Sequence, residues 1–218
     1  MPTQLALQAA YVALGYPVLT SSGGFATSYV VTLSLADTVF VLGLVMLFLY
    51  SHGERPRDVL IGSRPVASEV PLGFALMFLA LAAALAFGFA ILKLAPSLHT
   101  VERNPLQDLL SSRRDALMFA GVVILAGGVR EEVQRAFILH RFREWLGGPI
   151  VGLIVTSIAF GAGHLPQGLD AAVITGVLGC LWGAVYLRRG SIVAPVVSHA
   201  GFDLLEIVQF MVGRALQS

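Results

Sequence analysis

Two adjacent carboxylates and two guanidiniums lie inside a stretch that otherwise has the composition of a membrane-buried helix. They are Arg130, Glu131, Glu132 and Arg135. The 14 residues at 116–129 carry no charge, and they are too few to cross a bilayer, which needs about 20. Because apolar residues resume at 136–139, we expect the span to run through the charges. Ionisable groups at that depth cost at least ~2.5 kcal/mol each, so they should face a protein interior or a wet cavity.

Two histidines accompany these carboxylates on later apolar helices. His164 follows Phe160 by four residues, and His199 precedes Asp203 by four. With a helical rise of ~1.5 Å per residue, measured from the span ends that the loop charges place in the cytoplasm, Glu131 lies ~15–20 Å deep, His164 ~20 Å and His199 ~12 Å. We therefore expect the three side chains to meet at one level if their helices are neighbours. Small residues that allow close helix approach surround these positions: Gly127, Gly128, Gly161, Gly163 and Gly201.

This set of residues fits a hydrolytic reaction by an activated water. Two imidazoles and a carboxylate form a common open zinc shell, in which Glu131, His164 and His199 hold Zn²⁺ or another divalent metal. The metal generates a nucleophile from water, and the second carboxylate acts as general base. In a metal-free version a glutamate and His164 activate water, while His199 and Asp203 stabilise or orient the tetrahedral intermediate. The residues leave both versions open.

A structural interpretation competes with the catalytic one. Arg130 and Arg135 would then simply neutralise the two glutamates, and His164 would cap a helix end. His199 and Asp203, four residues apart on a helix, would satisfy each other. Ionisable groups within a membrane favour function by default, and the two histidines tip the balance toward a site.

Composition limits the class of protein. The chain has 218 residues, of which 56% are hydrophobic and 12% charged, with a mean hydropathy of +0.82. Soluble domains carry about 25% charged residues, so this is an integral membrane protein in contact with the lipid bilayer. A net charge of +1 provides no basic field for nucleic acid. The single cysteine, Cys180, excludes an internal disulfide and a cysteine-based zinc site.

The apolar pattern predicts an all-α, polytopic membrane helical bundle with about six transmembrane helices. Residues 4–19 are apolar but short, so we interpret them as an interfacial helix, with a seventh span as the alternative. Asp115 is the expected cap of the third span. Within a single membrane domain, we expect residues 1–114 to be peripheral and residues 115–213 to form a catalytic four-helix core. The spans are predicted at about 26–51, 71–94, 115–145, 149–165, 170–187 and 191–213.

Loop charges predict an orientation. Six spans place seven arginines on one side and four on the other, and the positive-inside rule puts the richer side in the cytoplasm. The first set is Arg55, Arg57, Arg64, Arg141, Arg143, Arg188 and Arg189, and the second is Arg103, Arg113, Arg114 and Arg214. We therefore expect a site that opens to the cytoplasmic side of the inner membrane of a prokaryote.

The three motifs resemble the CPBP family of intramembrane proteases, which includes the type II CAAX prenyl endopeptidases (Rce1-like) and the bacterial Abi proteins. That family shows Glu-Glu-x-x-x-Arg, Phe-x-x-x-His and His-x-x-x-Asn/Asp, in this order, on successive core helices. The second and third motifs match at 160–164 and 199–203, and the resemblance covers about residues 115–213. In the first motif, Arg135 stands one residue early relative to Glu131-Glu132. Aligned instead on Arg135, the second glutamate of the motif falls at Glu131.

The resemblance implies an endopeptidase of the metalloprotease or glutamate type. Its substrate would be a membrane-associated protein or peptide, which in eukaryotic members is prenylated. We expect Glu131 to be the catalytic glutamate if the Glu-Glu alignment holds. Two alternatives are a non-catalytic immunity or scaffold protein that retains the pocket and, ranked last because no repeat is visible, a cation or proton transporter. The resemblance assigns site roles to Glu131, Glu132, His164, His199, Asp203 and Arg135.

Overall fold

The computed structural model describes residues 2–20, 24–102, 104–110 and 112–216. Arg103, one of the arginines used to predict the orientation, lies outside these residues. A π-helix at Val123–Glu131 joins α5 to α6, so 113–145 is one continuous helical segment. The α-helices are α1 (Pro2–Ala13), α2 (Thr27–Ser51), α3 (Pro56–Leu60), α4 (Val66–Leu94), α5 (Arg113–Val122), α6 (Glu132–Trp145), α7 (Pro149–Ala162), α8 (Leu169–Arg189) and α9 (Val193–Ala215).

Four of these helices, α2, α4, α8 and α9, are long and apolar enough to cross a membrane. The other two predicted spans correspond to the ionisable segment at 113–145 and to α7, which is apolar but has only 14 residues. Both pack among the longer helices: the π-helix lies against α9 and α2, and α7 lies against α8 and α6. The structure therefore confirms an all-α polytopic membrane bundle.

Contacts between loops sort the helix ends into two faces. At one face, Arg189 at the end of α8 pairs with Glu69 at the start of α4, 2.5 Å away, and Arg64 donates to the Arg189 carbonyl. At the opposite face, Arg214 near the end of α9 donates to the carbonyl of Leu110. Arg64 and Arg189 thus lie at the face opposite Arg214, as the six-span topology predicts.

Some boundaries differ from the sequence predictions. α4 begins at Val66 rather than near residue 71, and Pro71 lies inside it. Buried Glu69 belongs to this first turn, and its ion pair with Arg189 holds the turn in place. The predicted cap at Asp115 is wrong, because Ser112 is the N-cap and its hydroxyl oxygen accepts the Asp115 amide.

The N-terminal apolar stretch forms the short helix α1. It has 12 residues and packs against α2. At ~1.5 Å per residue it is ~18 Å long, which is well short of the ~30 Å hydrocarbon core. This length favours the interfacial interpretation over a seventh span.

Glycines bring the π-helix close to α9. A Cβ on Gly128 would lie 2.7 Å from the Ala200 Cβ, and one on Gly127 would collide with the Asp203 carboxylate. Because neither residue has a side chain, the two helix backbones approach closely. The charged end of the π-helix therefore faces the turn of α9 that carries His199.

Candidate active site

His199 lies at the centre of the polar groups inside the bundle. Its side chain is only 5% exposed. Its Nδ1 atom is 2.8 Å from Oε1 of Glu132, and its Nε2 atom is 3.8 Å from Oε2 of Glu131 and 3.8 Å from Oδ2 of Asp203. One imidazole therefore faces three carboxylates, through both of its ring nitrogens.

An aromatic wall fixes the plane of this imidazole. The Trp182 indole stacks on the His199 ring, with centroids 3.9 Å apart and planes inclined by 16°. The indole N–H donates to the Ser198 hydroxyl at 3.0 Å, and the edge of Phe160 meets the imidazole from another side. All of these side chains are buried, so the His199 ring has little freedom to rotate.

Glu132 is buried, and its Oε1 atom is bound by two protein partners. Besides His199 Nδ1, its Oε1 atom binds the Arg135 guanidinium, and both residues are buried. Arg135 in turn lies over the Phe160 ring, 4.4 Å from its centroid. Charge pairing and the aromatic face together stabilise a buried cation. Glu132 thus orients His199 and has no oxygen atom that is shown to face an open space.

One carboxylate oxygen of Glu131 is hydrogen-bonded to an arginine, and the other points toward His199. Its Oε1 atom accepts from Arg130 Nη2 at 2.6 Å, while Oε2 faces His199. Arg130 also donates from Nη1 to buried Asp37 of α2 and from Nε to the Ala126 carbonyl at 3.1 Å. The side chain of Glu131 is 17% exposed, compared with 1% for Glu132. Of the two glutamates, Glu131 is the one available to water.

The side chains of the two glutamates reach opposite nitrogens of the same ring. Adjacent residues of a helix point ~100° apart, so two neighbouring side chains do not usually reach one group. They converge because the imidazole lies between them. Arg135 pairs with Glu132, three residues earlier, rather than with Glu131, four residues earlier. The sequence-based interpretation that the arginines neutralise the glutamates thus describes the geometry, but it does not describe the histidine between them.

His164 lies at the edge of this group, just beyond the end of α7. Its Nδ1–H donates to the Phe160 carbonyl at 2.9 Å, and its ring meets the Phe160 ring edge-on, with centroids 4.9 Å apart. Phe160 therefore separates and supports both imidazoles. The structure shows no direct contact between His164 and either glutamate among the contacts of the described residues.

The predicted metal ligands can be compared with the geometry. In each imidazole Nδ1 is hydrogen-bonded to an acceptor, so Nε2 is the nitrogen that would bind a metal, as is usual for metal-binding histidines. The ligand atoms of Glu131, His164 and His199 do not all approach within 4.8 Å of one another, however. Among the described residues, one group of three does so, formed by Glu54, His140 and Glu144. We call the residues around His199 the central group. Its carboxylate and imidazole donors fit a divalent metal, but the ligand atoms of Glu131, His164 and His199 would have to move closer together to hold one.

The group near His140 lies at the far end of α6. His140 Nε2 is 2.6 Å from Oε1 of Glu54 and 3.3 Å from Oε1 of Glu144. Arg141 binds the other oxygen of each carboxylate. Its ligand atoms are thus already occupied by one another and by a cation. We call these four residues the rim cluster.

Sequence reasoning missed two members of the central group. Trp182 stands in an apolar span without any signal that it would stack on His199. Asp37 did carry a signal, because it is the only charge in α2, but its partner Arg130 is 93 residues away along the chain. The predicted site residues Glu131, Glu132, Arg135, His199 and Asp203 are brought together, with His164 beside them.

Comparison with known proteins agrees with the motifs. Residues 113–205 match the family model of the type II CAAX prenyl endopeptidase, Rce1-like. No curated protein and no solved structure matched the chain. The matched segment begins with α5 and ends two residues after Asp203, so it contains the π-helix, His164 and His199. The family implies a protease, and residues 113–205 of this membrane protein are similar to the Rce1-like family over that segment.

Proposed function

We propose that the protein is an intramembrane endopeptidase in which Glu131 and His199 activate a water molecule. The observation that carries this proposal is the arrangement around His199, whose Nδ1 is held by Glu132 while Nε2 faces Glu131. A buried, preorganised set of polar groups in a membrane span is costly unless it has a function. Its position within the segment that matches the Rce1-like family model supports peptide-bond hydrolysis as that function.

Glu131 is the general base of this proposal. A water near its Oε2 atom gives a proton to the carboxylate, and the resulting hydroxide attacks the carbonyl carbon of the scissile bond. Collapse of the tetrahedral intermediate breaks the C–N bond, and the proton held by Glu131 passes to the leaving nitrogen. The products are a carboxylate and an amine. Arg130 keeps Glu131 in place by holding its other oxygen.

The remaining residues orient these groups and compensate charge. Nδ1–H of His199 donates to ionised Glu132, so Nε2 is directed at the water and the reacting carbonyl. Asp203, 3.8 Å from Nε2, supports charge on the imidazole as the intermediate forms. Arg135 balances Glu132, and Phe160 places His164 at the edge of the site. His164 then contacts the substrate side of the intermediate.

A divalent metal is compatible with the same donors. Glu131, His164 and His199 would hold it, and it would supply a water that is acidic enough to ionise near neutral pH. The roles of Glu132 as the group that orients His199, and of Trp182 as its stacking partner, are the same with and without a metal. A chelator therefore separates the two versions of the chemistry without changing the assignment of these residues.

The substrate we propose is a membrane-associated protein or peptide that carries a hydrophobic or prenyl group. Such a substrate can enter laterally, because α2, α4 and α9 all present apolar side chains on the outside of the bundle. His199 is six residues from the start of α9, at the face that carries Arg64 and Arg189, which places it ~9 Å from that face. We propose that this arginine-rich face is cytoplasmic in a prokaryotic inner membrane.

Product identification by mass spectrometry tests the proposed reaction. Purified protein in detergent would be incubated with prenylated and unprenylated peptides, with and without a chelator. Wild-type protein should release a C-terminal fragment, and His199→Asn should not. His52→Asn is the matched control, since His52 is an exposed histidine outside the site.

The main alternative is a non-catalytic membrane protein that retains the pocket, such as an immunity or scaffold protein. Under this alternative, wild type and His199→Asn should both fail to cleave every peptide of a broad library. If the protein were a transporter, it should give proton or ion flux in liposomes that depends on the same residues. Cleavage by wild type that is lost in His199→Asn would exclude both as the main activity.

A further inference from the structure

A buried carboxylate that lies outside the matched segment forms an ion pair with a residue inside that segment. Asp37 lies in α2, far before residues 113–205, and it is 1% exposed. It is ten residues from the start of α2 and 14 from its end, so it lies near the middle of a membrane span. A carboxylate at that depth requires a partner, and its partner is Arg130, the residue that precedes Glu131. This pair connects α2 to the catalytic helix.

The guanidinium of Arg130 is held through all three of its nitrogens. Nη1 binds Asp37, Nη2 binds Glu131, and Nε binds the Ala126 carbonyl. A planar guanidinium fixed in this way has one orientation available to it. The Glu131 carboxylate is therefore fixed too, with Oε1 on Arg130 and Oε2 toward His199.

The charges show why a second carboxylate is needed. Arg130 carries one positive charge and faces two acids, Asp37 and Glu131. If Asp37 were neutral, the whole charge of Arg130 would be available to Glu131, and a bidentate pair would become favourable. Both oxygens of Glu131 would then turn toward Arg130 and away from His199. Asp37 shares the charge of Arg130 and thereby keeps Oε2 of Glu131 free to accept a proton.

We propose that Asp37 is a positioning residue for Glu131 and acts through Arg130. This inference rests on the proposed function, because it assigns Glu131 the role of general base. Asp37 does not touch His199 among the contacts of the described residues, so its effect on the reaction is exerted through the guanidinium. One oxygen of Asp37, Oδ1, is buried without a protein partner, so the link to α2 is made through Oδ2 alone.

The test is a double-mutant cycle between Asp37→Asn and Glu131→Gln, with peptide cleavage as the readout. Asn keeps the shape of Asp and removes its charge. Asp37→Asn should lower kcat by about 10- to 100-fold, as misplacement of a catalytic group does, with KM changed little. In the Glu131→Gln background the same substitution should have no further effect on kcat, since the group that it positions is already lost.

Two further variants separate positioning from folding. Thr38→Val is the matched control, because Thr38 is the next buried polar residue of α2 and its hydroxyl donates to the Ser34 carbonyl of its own helix. It should retain wild-type kcat. Asp37→Glu keeps the charge and should recover part of the activity that Asp37→Asn loses. It also preserves the test if Asp37→Asn does not fold, as judged by size-exclusion chromatography.

Each outcome decides one of the two claims. Active wild type with an Asp37→Asn variant of unchanged kcat overturns the inference and leaves the proposed function standing. Equal losses from Asp37→Asn in the wild-type and Glu131→Gln backgrounds also overturn it, because Asp37 would then act independently of Glu131. Inactive wild type overturns the proposed function and, with it, this inference.

Discussion

Two regions of the molecule use the same side chains for different purposes. The central group and the rim cluster each combine two glutamates, a histidine and at least one arginine. In the rim cluster, the side chains of Glu54, His140, Arg141 and Glu144 are 16–35% exposed. In the central group, Glu132 and Arg135 are at most 4% exposed, and His199 is stacked on an indole.

The difference lies in how the charges are satisfied. In the rim cluster both carboxylates turn both oxygens to Arg141 and His140, and water can reach all four residues. Such a group joins the loop after α2 to α6 and contributes modestly to stability. In the central group Glu131 keeps one oxygen away from its arginine. We propose that this oxygen, beside a fixed imidazole inside a membrane span, distinguishes the central group from a salt-bridge network.

Removing the Glu132 side chain should cause the largest loss of stability and activity, and so the strongest contrast with the rim cluster. Glu132→Ala leaves buried Arg135 without its carboxylate and His199 without its Nδ1 partner. Breaking a buried pair costs about 3–5 kcal/mol, so the variant should unfold at a much lower temperature and have no activity. Thermal unfolding in detergent measures this. A melting temperature within a degree or two of wild type would mean that the pair is not buried.

Substitutions that change the spacing between the π-helix and α9 should have a nearly as large effect. Gly128→Ala brings a Cβ against Ala200 and forces the π-helix away from α9, at a cost of about 1–3 kcal/mol. Gly127→Ala meets only the Asp203 carboxylate, which can rotate, so its effect should appear in kcat more than in stability. Gly121→Ala is the control, because a Cβ there meets nothing within 4 Å. Equal stability of all three variants would refute the close approach.

The aromatic wall should have an intermediate effect that is confined to the central group. Trp182→Leu removes the ring that stacks on His199 and the N–H that binds Ser198. Aromatic pairing contributes about 0.5–1.5 kcal/mol, so kcat should fall by up to about tenfold. Trp182→Phe retains a ring and should lose less. If Leu and Phe have the same kcat, stacking does not orient the imidazole.

The rim cluster should give the smallest effect. Glu54→Gln removes one carboxylate from His140 and Arg141, and ion pairs that water can reach contribute about 0–1 kcal/mol. The melting temperature should therefore change little, and the change should shrink at high salt, where exposed charges are screened. Peptide cleavage should be unaffected. A large loss of activity would show that the two regions are coupled and that our distinction between them is wrong.

The sequence predicted the helices and the family well, because both depend on local patterns. Apolar runs of span length give α2, α4, α8 and α9, and the spacing of His164 and His199 is visible in the chain. The sequence did not reveal the π-helix, because the i to i+5 hydrogen bonds of a π-helix cannot be recognised from the hydrophobic pattern. It also did not reveal that Trp182 lies on His199, since that contact depends on how α8 packs against α9.

Other predictions stay open. The division into a peripheral part at 1–114 and a catalytic core at 115–213 is still a prediction, and the link from Asp37 to Arg130 shows that α2 reaches the core. The roles assigned to Glu131, Glu132, His164, His199, Asp203 and Arg135 are proposals that require mutagenesis. Long-range partners such as Asp37 could not be chosen from sequence, because a lone charge in a span does not indicate which helix will face it.

The initial rate of peptide cleavage by Glu131→Gln, relative to wild type in the same liposomes, tests the central claim most directly. Gln has the size of Glu and can accept from Arg130, but it cannot take a proton from water. Loss of a general base lowers kcat by about 10²- to 10⁴-fold, and we expect a loss in that range. Glu144→Gln, at an exposed carboxylate of the rim cluster, should retain the wild-type rate. A Glu131→Gln variant that cleaves as fast as wild type would contradict the account.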